Sequence, residues 1–198
     1  IIITGTGRAG TTALVQLFAE LGFDTGYTAA EIAAGVDPIA RAGLEKPMAG
    51  PDAPYIAKSP WYADELQAAL DQGGLRLYAA ILPMRTLFAA AESRRQVYRT
   101  AQASGRDPNT QPGTLWKTRA PHAQEGHLAI QFYKALNPLV QHDVPTFLLD
   151  FPRFVTAPDY LYARLRPLWR AHGVRRRELV RAHATVMQPS AVSQFDGP

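Results

Sequence analysis

A glycine-rich segment near the start of the chain, ITGTGRAGTTAL at residues 3–14, follows an apolar run and precedes a helical pattern. A strand that turns into a helix through such a loop directs backbone N–H groups at one spot, which suits an anion. Three glycines allow the tight path: Gly5, Gly7 and Gly10. Three side chains add hydrogen-bond donors: Arg8, Thr11 and Thr12. The segment therefore predicts an anion site, although a turn that only caps the helix would need the same glycines.

The loop lacks the lysine of nucleoside triphosphatases. Those loops place lysine directly after the last glycine, where it reaches the outer phosphates. Here Thr11 holds that position, and the positive charge lies at Arg8, two residues before Gly10. A guanidinium group can bind two anion oxygens through parallel hydrogen bonds. The loop thus favours an anion without the usual triphosphate contact.

A second candidate site combines an arginine and a serine. Arg85 follows the apolar run LYAAILPM, and Ser93 lies eight positions later in a helical pattern. Eight residues span a little over two helical turns, so Ser93 can face back toward Arg85. Taken singly, the two would be a solvated cation and a surface serine. Their spacing favours joint contact with one anion. Arg94 and Arg95 are expected either to face solvent or to be auxiliary, and Arg94 is the better candidate to support the bound anion.

The elements that must position these residues alternate between strand and helix. Apolar runs without alternation predict strands covered on both faces, at residues 1–4, 54–58, 75–82 and 144–151. Apolar residues at helical spacing predict helices from residue 11 to a stop at Gly22, and at 86–102, 121–142 and 158–172. This order predicts a three-layer α/β fold with a mostly parallel sheet of four or five strands flanked by helices. The loops at 35–54 and 105–113 would then lie over the carboxyl ends of the strands, where ligands bind in such folds.

Composition limits the functional classes. The chain has 198 residues with 46% apolar content, which suits a single domain over 1–198. A net charge of +4 gives no case for nucleic-acid binding. The absence of cysteine excludes disulfides and favours a cytoplasmic location. No apolar run reaches the roughly 20 residues of a membrane helix, and because the sequence does not begin with Met we expect that an upstream start or leader is missing from it.

Three segments resemble the sulfotransferase family that uses 3′-phosphoadenosine 5′-phosphosulfate. RAGTT at 8–12 is similar to the family's phosphosulfate loop, with Ala9 where serine is usual. The pair Arg85 and Ser93 resembles its 3′-phosphate ligands, although Thr86-Leu87 replaces the usual Asp or Asn followed by Pro. AKSPWYADEL at 57–66 resembles the Lys-Ser-Pro-x-Tyr element of the glycosaminoglycan-type enzymes.

The resemblance implies a P-loop, sulfotransferase-like fold and assigns roles to residues. The 5′-phosphosulfate would be bound by the loop residues Gly7, Arg8, Ala9, Gly10, Thr11 and Thr12. Lys58 would assist transfer of the sulfuryl group, and no metal is needed. Pro60 stands where the cytosolic enzymes have a catalytic histidine, so the proton acceptor must lie elsewhere. Counting from Arg8 as in the glycosaminoglycan-type enzymes leads to Glu31, with Asp37 and Glu45 as further candidates, and a first-turn carboxylate beside a helix dipole is the structural alternative for Glu31.

Two other functions stay open. A small-molecule kinase using Mg-ATP would explain the run FLLDF, where Asp150 resembles the magnesium ligand of P-loop enzymes. A non-catalytic nucleotide-binding module would explain the departures from the family pattern. Under any of these functions the partner is a small molecule or carbohydrate, without nucleic acid or a membrane segment. Six aromatic residues could stack on a sugar or aryl ring of an acceptor: Tyr27, Tyr55, Trp61, Tyr62, Tyr98 and Trp116.

Overall fold

A four-stranded parallel sheet organises the chain, whose residues 1–195 are described by a computed structural model. The strands lie in the order β2–β1–β3–β4, and all neighbours are parallel. Their bounds are β1 Ile2–Ile3, β2 Ala57–Lys58, β3 Ala80–Met84 and β4 Thr146–Asp150. The predicted three-layer α/β fold is confirmed. β1, β2 and β4 are shorter than the apolar runs predicted to form them, and β3 extends two residues past the predicted end at residue 82.

Nine helices flank the sheet in the described part of the chain. They are α1 Thr11–Glu20, α2 Ala29–Ala34, α3 Tyr62–Asp71, α4 Leu87–Ala103, α5 Gln124–Gln141, α6 Arg153–Thr156, α7 Pro158–Arg164, α8 Arg166–Ala171 and α9 Arg176–Val186. Short 3-10 turns lie at Pro121–Ala123 and Pro189–Ala191. The apolar patterns of the sequence do not predict α2, α3, α6 or α9.

The ends of two helices follow from single residues. Gly22 has a φ of 84° directly after α1, and the Phe23 N–H donates to the Phe18 carbonyl across it at 3.0 Å, so the predicted stop is confirmed. The helix predicted over 158–172 is interrupted between α7 and α8. Pro167 has no N–H to donate to the preceding turn, which explains why the two helices do not join.

Alternating strand residues serve the two faces of the sheet. Ile3, Ile81 and Leu149 pack on the side of α1 and α9. Ile2 and Leu82 point to the opposite side, where α3 and α5 cover them. Successive strand residues point to opposite faces of the sheet, and helices cover both faces, so both sets are buried. This explains why the strands are apolar runs that do not alternate with polar residues.

The carboxyl edge of the sheet gathers the segments expected to be functional. β1 leads into the glycine loop, β2 ends at Lys58, and β3 is followed by Arg85. From β1 the chain continues to β2 on one side of it and then crosses to β3 on its other side. A topological switch point therefore lies between β1 and β3. Ligands bind at such points in open parallel sheets. Within residues 1–195, no helix is both long enough and apolar enough to cross a membrane.

Leu17 tests the packing of α1 against the sheet. Its side chain is fully buried, so Leu17→Ala removes three carbon atoms from the core and leaves a cavity. We expect the free energy of unfolding to fall by about 2–5 kcal/mol in urea denaturation. Glu20→Ala on the exposed side of the same helix is the control and should change it by less than about 0.5 kcal/mol. Equal values for both variants would contradict the packing described here.

Candidate functional site: an arginine-rich cavity at the carboxyl edge

A cavity of about 750 Å³ opens at the carboxyl edge of the sheet, and we call it the edge cavity. Its volume lies within the range of small-molecule sites. Four segments supply most of its lining: the glycine loop with the start of α1, residues 36–45, residues 109–116 and residues 186–193. The two loops predicted to cover the strand ends both contribute. The C-terminal wall was not predicted.

The glycine loop presents the start of α1 to the edge cavity. Gly10 adopts a φ of 78° and begins the helix, whose first turn has no acidic residue and no side-chain cap. Thr11 and Thr12 line the cavity beside it. The first N–H groups of a helix have no partner inside the helix and carry positive partial charge, so this end of α1 favours an anion.

Arg8 links the loop to two walls of the edge cavity. It has a φ of 58°, an uncommon value for a residue with a side chain. Its Nε donates to Ser93 Oγ at 3.0 Å, and its Nη1 donates to the Ala40 carbonyl. Burial, together with the nearby charge of Arg85, lowers the pKa of Arg8 to about 10. The guanidinium is therefore still charged at neutral pH.

Arg85 lies beside Arg8 and is covered by the C-terminal segment. Its Nη1 donates to the Arg8 carbonyl at 3.4 Å, and its Nη2 donates to the Ser193 carbonyl. The rings of Phe151 and Phe195 lie 5.2 and 5.3 Å from the guanidinium carbon. Burial lowers the pKa of Arg85. The C-terminal contacts could not be predicted from the sequence, because they depend on how the end of the chain returns to the sheet.

Arg94 is buried and lines the edge cavity, so of its two expected placements the solvent-facing one is wrong, and an auxiliary contact with the anion stays a prediction. Its guanidinium donates to the Thr6 carbonyl and to the Thr114 carbonyl, each at 2.7 Å. It also lies 5.1 Å from the ring centre of Trp116. Burial and the charge of Arg8 lower the pKa of Arg94 to about 9. Arg94 thus joins the glycine loop to the 109–116 wall, while Arg95 forms ion pairs outside the cavity.

The three arginines concentrate positive charge around the edge cavity without acidic partners. No ion pair formed within residues 1–195 includes Arg8, Arg85 or Arg94. Their hydrogen-bond acceptors are backbone carbonyls and one serine hydroxyl. Buried charges in proteins are ordinarily paired, so this arrangement is suited to an anionic ligand.

Lys58 and Glu45 form an ion pair in the same cavity. The Lys58 ammonium is 3% exposed and lies 2.5 Å from Glu45 Oε1 and 2.6 Å from the Gly43 carbonyl. Burial lowers the pKa of Lys58, and the Glu45 carboxylate opposes that effect. An ammonium has three donors, so one is left for a ligand. Glu45 is 39% exposed and therefore accessible to a ligand or water.

Glu31 is not brought to the edge cavity. It is exposed in the first turn of α2, where its carboxylate accepts from the Thr28 N–H at 2.7 Å and from the Thr28 hydroxyl at 2.8 Å. These hydrogen bonds lower the pKa of Glu31. The arrangement is a capping box, which is the structural alternative stated above. The assignment of Glu31 as proton acceptor stays a prediction from the resemblance alone.

Most other predicted residues line the edge cavity. They are Gly7, Arg8, Gly10, Thr11, Thr12, Lys58, Arg85 and Ser93. Ala9 is fully buried and does not line it. Asp37 lines the edge cavity, and its carboxylate pairs with Arg106 at 3.5 Å. Asp150 does not line the cavity. Among residues 1–195, no three acidic or histidine side chains are grouped to hold a metal ion.

Comparisons of this chain with family models, with curated proteins and with solved structures find no match. The function must therefore be argued from the edge cavity itself and from the sequence motifs around it.

Gly7 tests the contact between the glycine loop and Arg94. A Cβ atom at Gly7 would lie 2.7 Å from Arg94 Nη2, whereas Gly22 has open space around it. Both residues have positive φ, so alanine adds about 1–2 kcal/mol of backbone strain at either position. We expect pyrophosphate to raise the melting temperature of the wild type and of Gly22→Ala, and to lose this effect in Gly7→Ala. Calorimetric melts with and without pyrophosphate at constant ionic strength measure it, and equal stabilisation of both variants would contradict the role given to Gly7.

Proposed function

We propose that this protein is a sulfotransferase, which transfers a sulfuryl group from 3′-phosphoadenosine 5′-phosphosulfate to a hydroxyl or amine acceptor. The observation that carries the proposal is the group of three arginines around one cavity, of which Arg94 is buried and Arg8 and Arg85 are half-buried, and none of which forms an ion pair within residues 1–195. Such a donor carries anionic groups at the 3′ and 5′ positions of its ribose. A site with several neighbouring cations suits a ligand of that kind better than one with a single charge.

Different residues of the edge cavity would bind the two anionic groups of the donor. The start of α1, with Thr11 and Thr12, would bind the 5′-phosphosulfate. Arg85 and Ser93 would bind the 3′-phosphate, and both already contact Arg8, so they are separated by no more than one side chain. The anion would replace the Ser193 carbonyl as the acceptor of the Arg85 Nη2.

Lys58 and Glu45 provide the groups that transfer requires. As the new bond from sulfur to the acceptor forms, the bond from sulfur to the bridging oxygen breaks, and negative charge develops on the leaving bisphosphate. The Lys58 ammonium would stabilise that charge. The acceptor loses a proton in the same step, and Glu45 is a carboxylate in the cavity that could take it. We therefore favour Glu45 over Glu31 as the proton acceptor.

The two alternatives fit the geometry less well. A kinase would need a magnesium ligand near the phosphates, and Asp150 does not line the edge cavity. The lysine that contacts outer phosphates in triphosphatases is replaced by Thr11. A non-catalytic nucleotide-binding module would leave the buried ion pair of Lys58 and Glu45 without a role in chemistry. The first alternative predicts magnesium-dependent binding, and the second predicts binding without transfer.

Calorimetric titration with 3′-phosphoadenosine 5′-phosphate, run beside ATP with magnesium, tests the donor site. We expect micromolar binding of the bisphosphate without metal. Arg85→Ala should weaken it by about tenfold to a hundredfold, because hydrogen bonds to charged groups contribute about 1.5–3 kcal/mol. Arg99→Ala, an exposed arginine on α4, is the matched control and should bind as the wild type does. Preference for ATP with magnesium, or equal affinity in Arg85→Ala, would overturn the proposal.

Variants of Lys58, Glu45 and Glu31 test the chemistry, with transfer of labelled sulfate from the donor to a panel of alcohols, sugars, phenols and amines as the assay. Lys58→Ala and Glu45→Gln should each lower kcat by about a hundredfold or more while donor affinity is kept. Glu31→Gln should leave kcat close to the wild-type value. If Glu31→Gln loses activity and Glu45→Gln does not, the proton acceptor is Glu31 as the resemblance implies. Normal turnover of Lys58→Ala would remove Lys58 from the reaction.

A further inference from the structure

Trp61 is an exposed aromatic side chain in the wall of the edge cavity. It lines the edge cavity and is 50% exposed. The other aromatic residues in that lining, Trp116 and Phe151, are 4% and 9% exposed. A large apolar ring left in water at a ligand site has an unused contact surface, because burying it on a ligand is favourable.

The Trp61 ring is held in place without a ligand. It packs against Trp116 in a T-shaped arrangement, with ring centres 5.5 Å apart and an interplanar angle of 85°. Trp116 is fixed in turn, since its backbone N–H donates to Gln124 Oε1 at 2.7 Å and its backbone carbonyl accepts from Gln124 Nε2 at 3.2 Å. Arg94 lies against the Trp116 ring. The exposed indole therefore loses little conformational freedom when a ligand binds to it.

The same indole lies next to the groups proposed to carry out transfer. Lys58 ends β2, and Trp61 follows three residues later at the start of α3. The backbone N–H of Trp61 donates to Ser59 Oγ at 3.1 Å. Glu45 lines the same cavity and pairs with Lys58. A ring bound on Trp61 would thus be presented to the part of the cavity that holds the reacting groups.

The remaining aromatic candidates have other roles or other places. Tyr62 is buried and donates to the Lys46 carbonyl. Tyr27 donates to the Glu45 carbonyl and lies under Lys46. Tyr55 pairs with His172, and neither it nor Tyr98 lines the edge cavity. Of the six aromatic residues singled out in the sequence, Trp61 alone combines exposure with a position in this cavity.

We infer that Trp61 is the surface on which the acceptor stacks, and that the acceptor is a hydroxyl-bearing ring with a flat apolar face. A pyranose and an aryl ring both offer such a face, and both stack on indole. A flexible aliphatic alcohol does not. The inference rests on the proposed function, because the bound ring is an acceptor only if the protein is a sulfotransferase. The binding of a ring to Trp61 can be measured independently of that function.

The test follows the indole N–H signals of the three tryptophans by NMR, with the protein saturated with 3′-phosphoadenosine 5′-phosphate. The probes are 2-naphthol, methyl β-D-glucoside and 1,6-hexanediol, each titrated separately. We expect one ring probe or both to shift the Trp61 signal, the diol to leave it in place, and the signal of the fully buried Trp169 to stay constant. Which ring probe binds distinguishes an aryl acceptor from a sugar.

Variants complete the test by isothermal titration with the ring probe that binds. Trp61→Ala should weaken its binding about tenfold or more, and Trp61→Phe should restore most of the affinity. Both should keep the wild-type affinity for the bisphosphate, as should Tyr78→Ala, a control at an aromatic side chain that is 49% exposed outside the edge cavity. Unchanged ring affinity in Trp61→Ala, binding of neither ring probe, or equal binding of the diol would overturn the inference. If the wild type does not bind the bisphosphate, the proposed function is overturned instead, and the ring titration is then repeated without the bisphosphate.

Discussion

The charge of three neighbouring guanidinium groups is the constraint on which the arrangement of this edge depends. Arg8, Arg85 and Arg94 repel one another and have no acidic partner within residues 1–195. What keeps them in place is a set of hydrogen bonds to backbone carbonyls. The carbonyls belong to the glycine loop, to the loops at 36–45 and 109–116, and to the C-terminal segment. The arginines therefore tie together segments that share no regular secondary structure, and they keep their charge available to a ligand.

The parallel sheet explains why these groups meet. Because all four strands run in one direction, the residues that follow them lie on one edge. The switch point between β1 and β3 brings Arg8 next to Arg85 although 77 positions separate them in the sequence. Ser93 and Arg94 reach the same place from α4, which begins just after β3. The site is thus a consequence of strand order together with the residues placed at strand ends.

The part of this arrangement that sequence could predict is the part set by local rules. Glycine spacing, apolar runs and the stop at Gly22 predicted the loop, the strands and α1, because each depends on neighbouring residues. The burial of Arg94 and the contact of Phe195 with Arg85 depend on segments that are distant in the sequence and pack against these arginines. Counting residues led to Glu31, whereas its capping box with Thr28 is a local motif readable from the sequence.

The contact between Lys58 and Glu45 links ligand binding to the proposed chemistry. Glu45 Oε1 lies 2.5 Å from the Lys58 ammonium, so this oxygen is engaged in the ion pair before a ligand binds. An anion bound near Lys58 would compete for that ammonium and weaken its pairing with Glu45. The carboxylate oxygen would then be free to contact the hydroxyl or amine of the acceptor when the donor is in place. In this mechanism, binding of the donor beside Lys58 precedes proton transfer to Glu45.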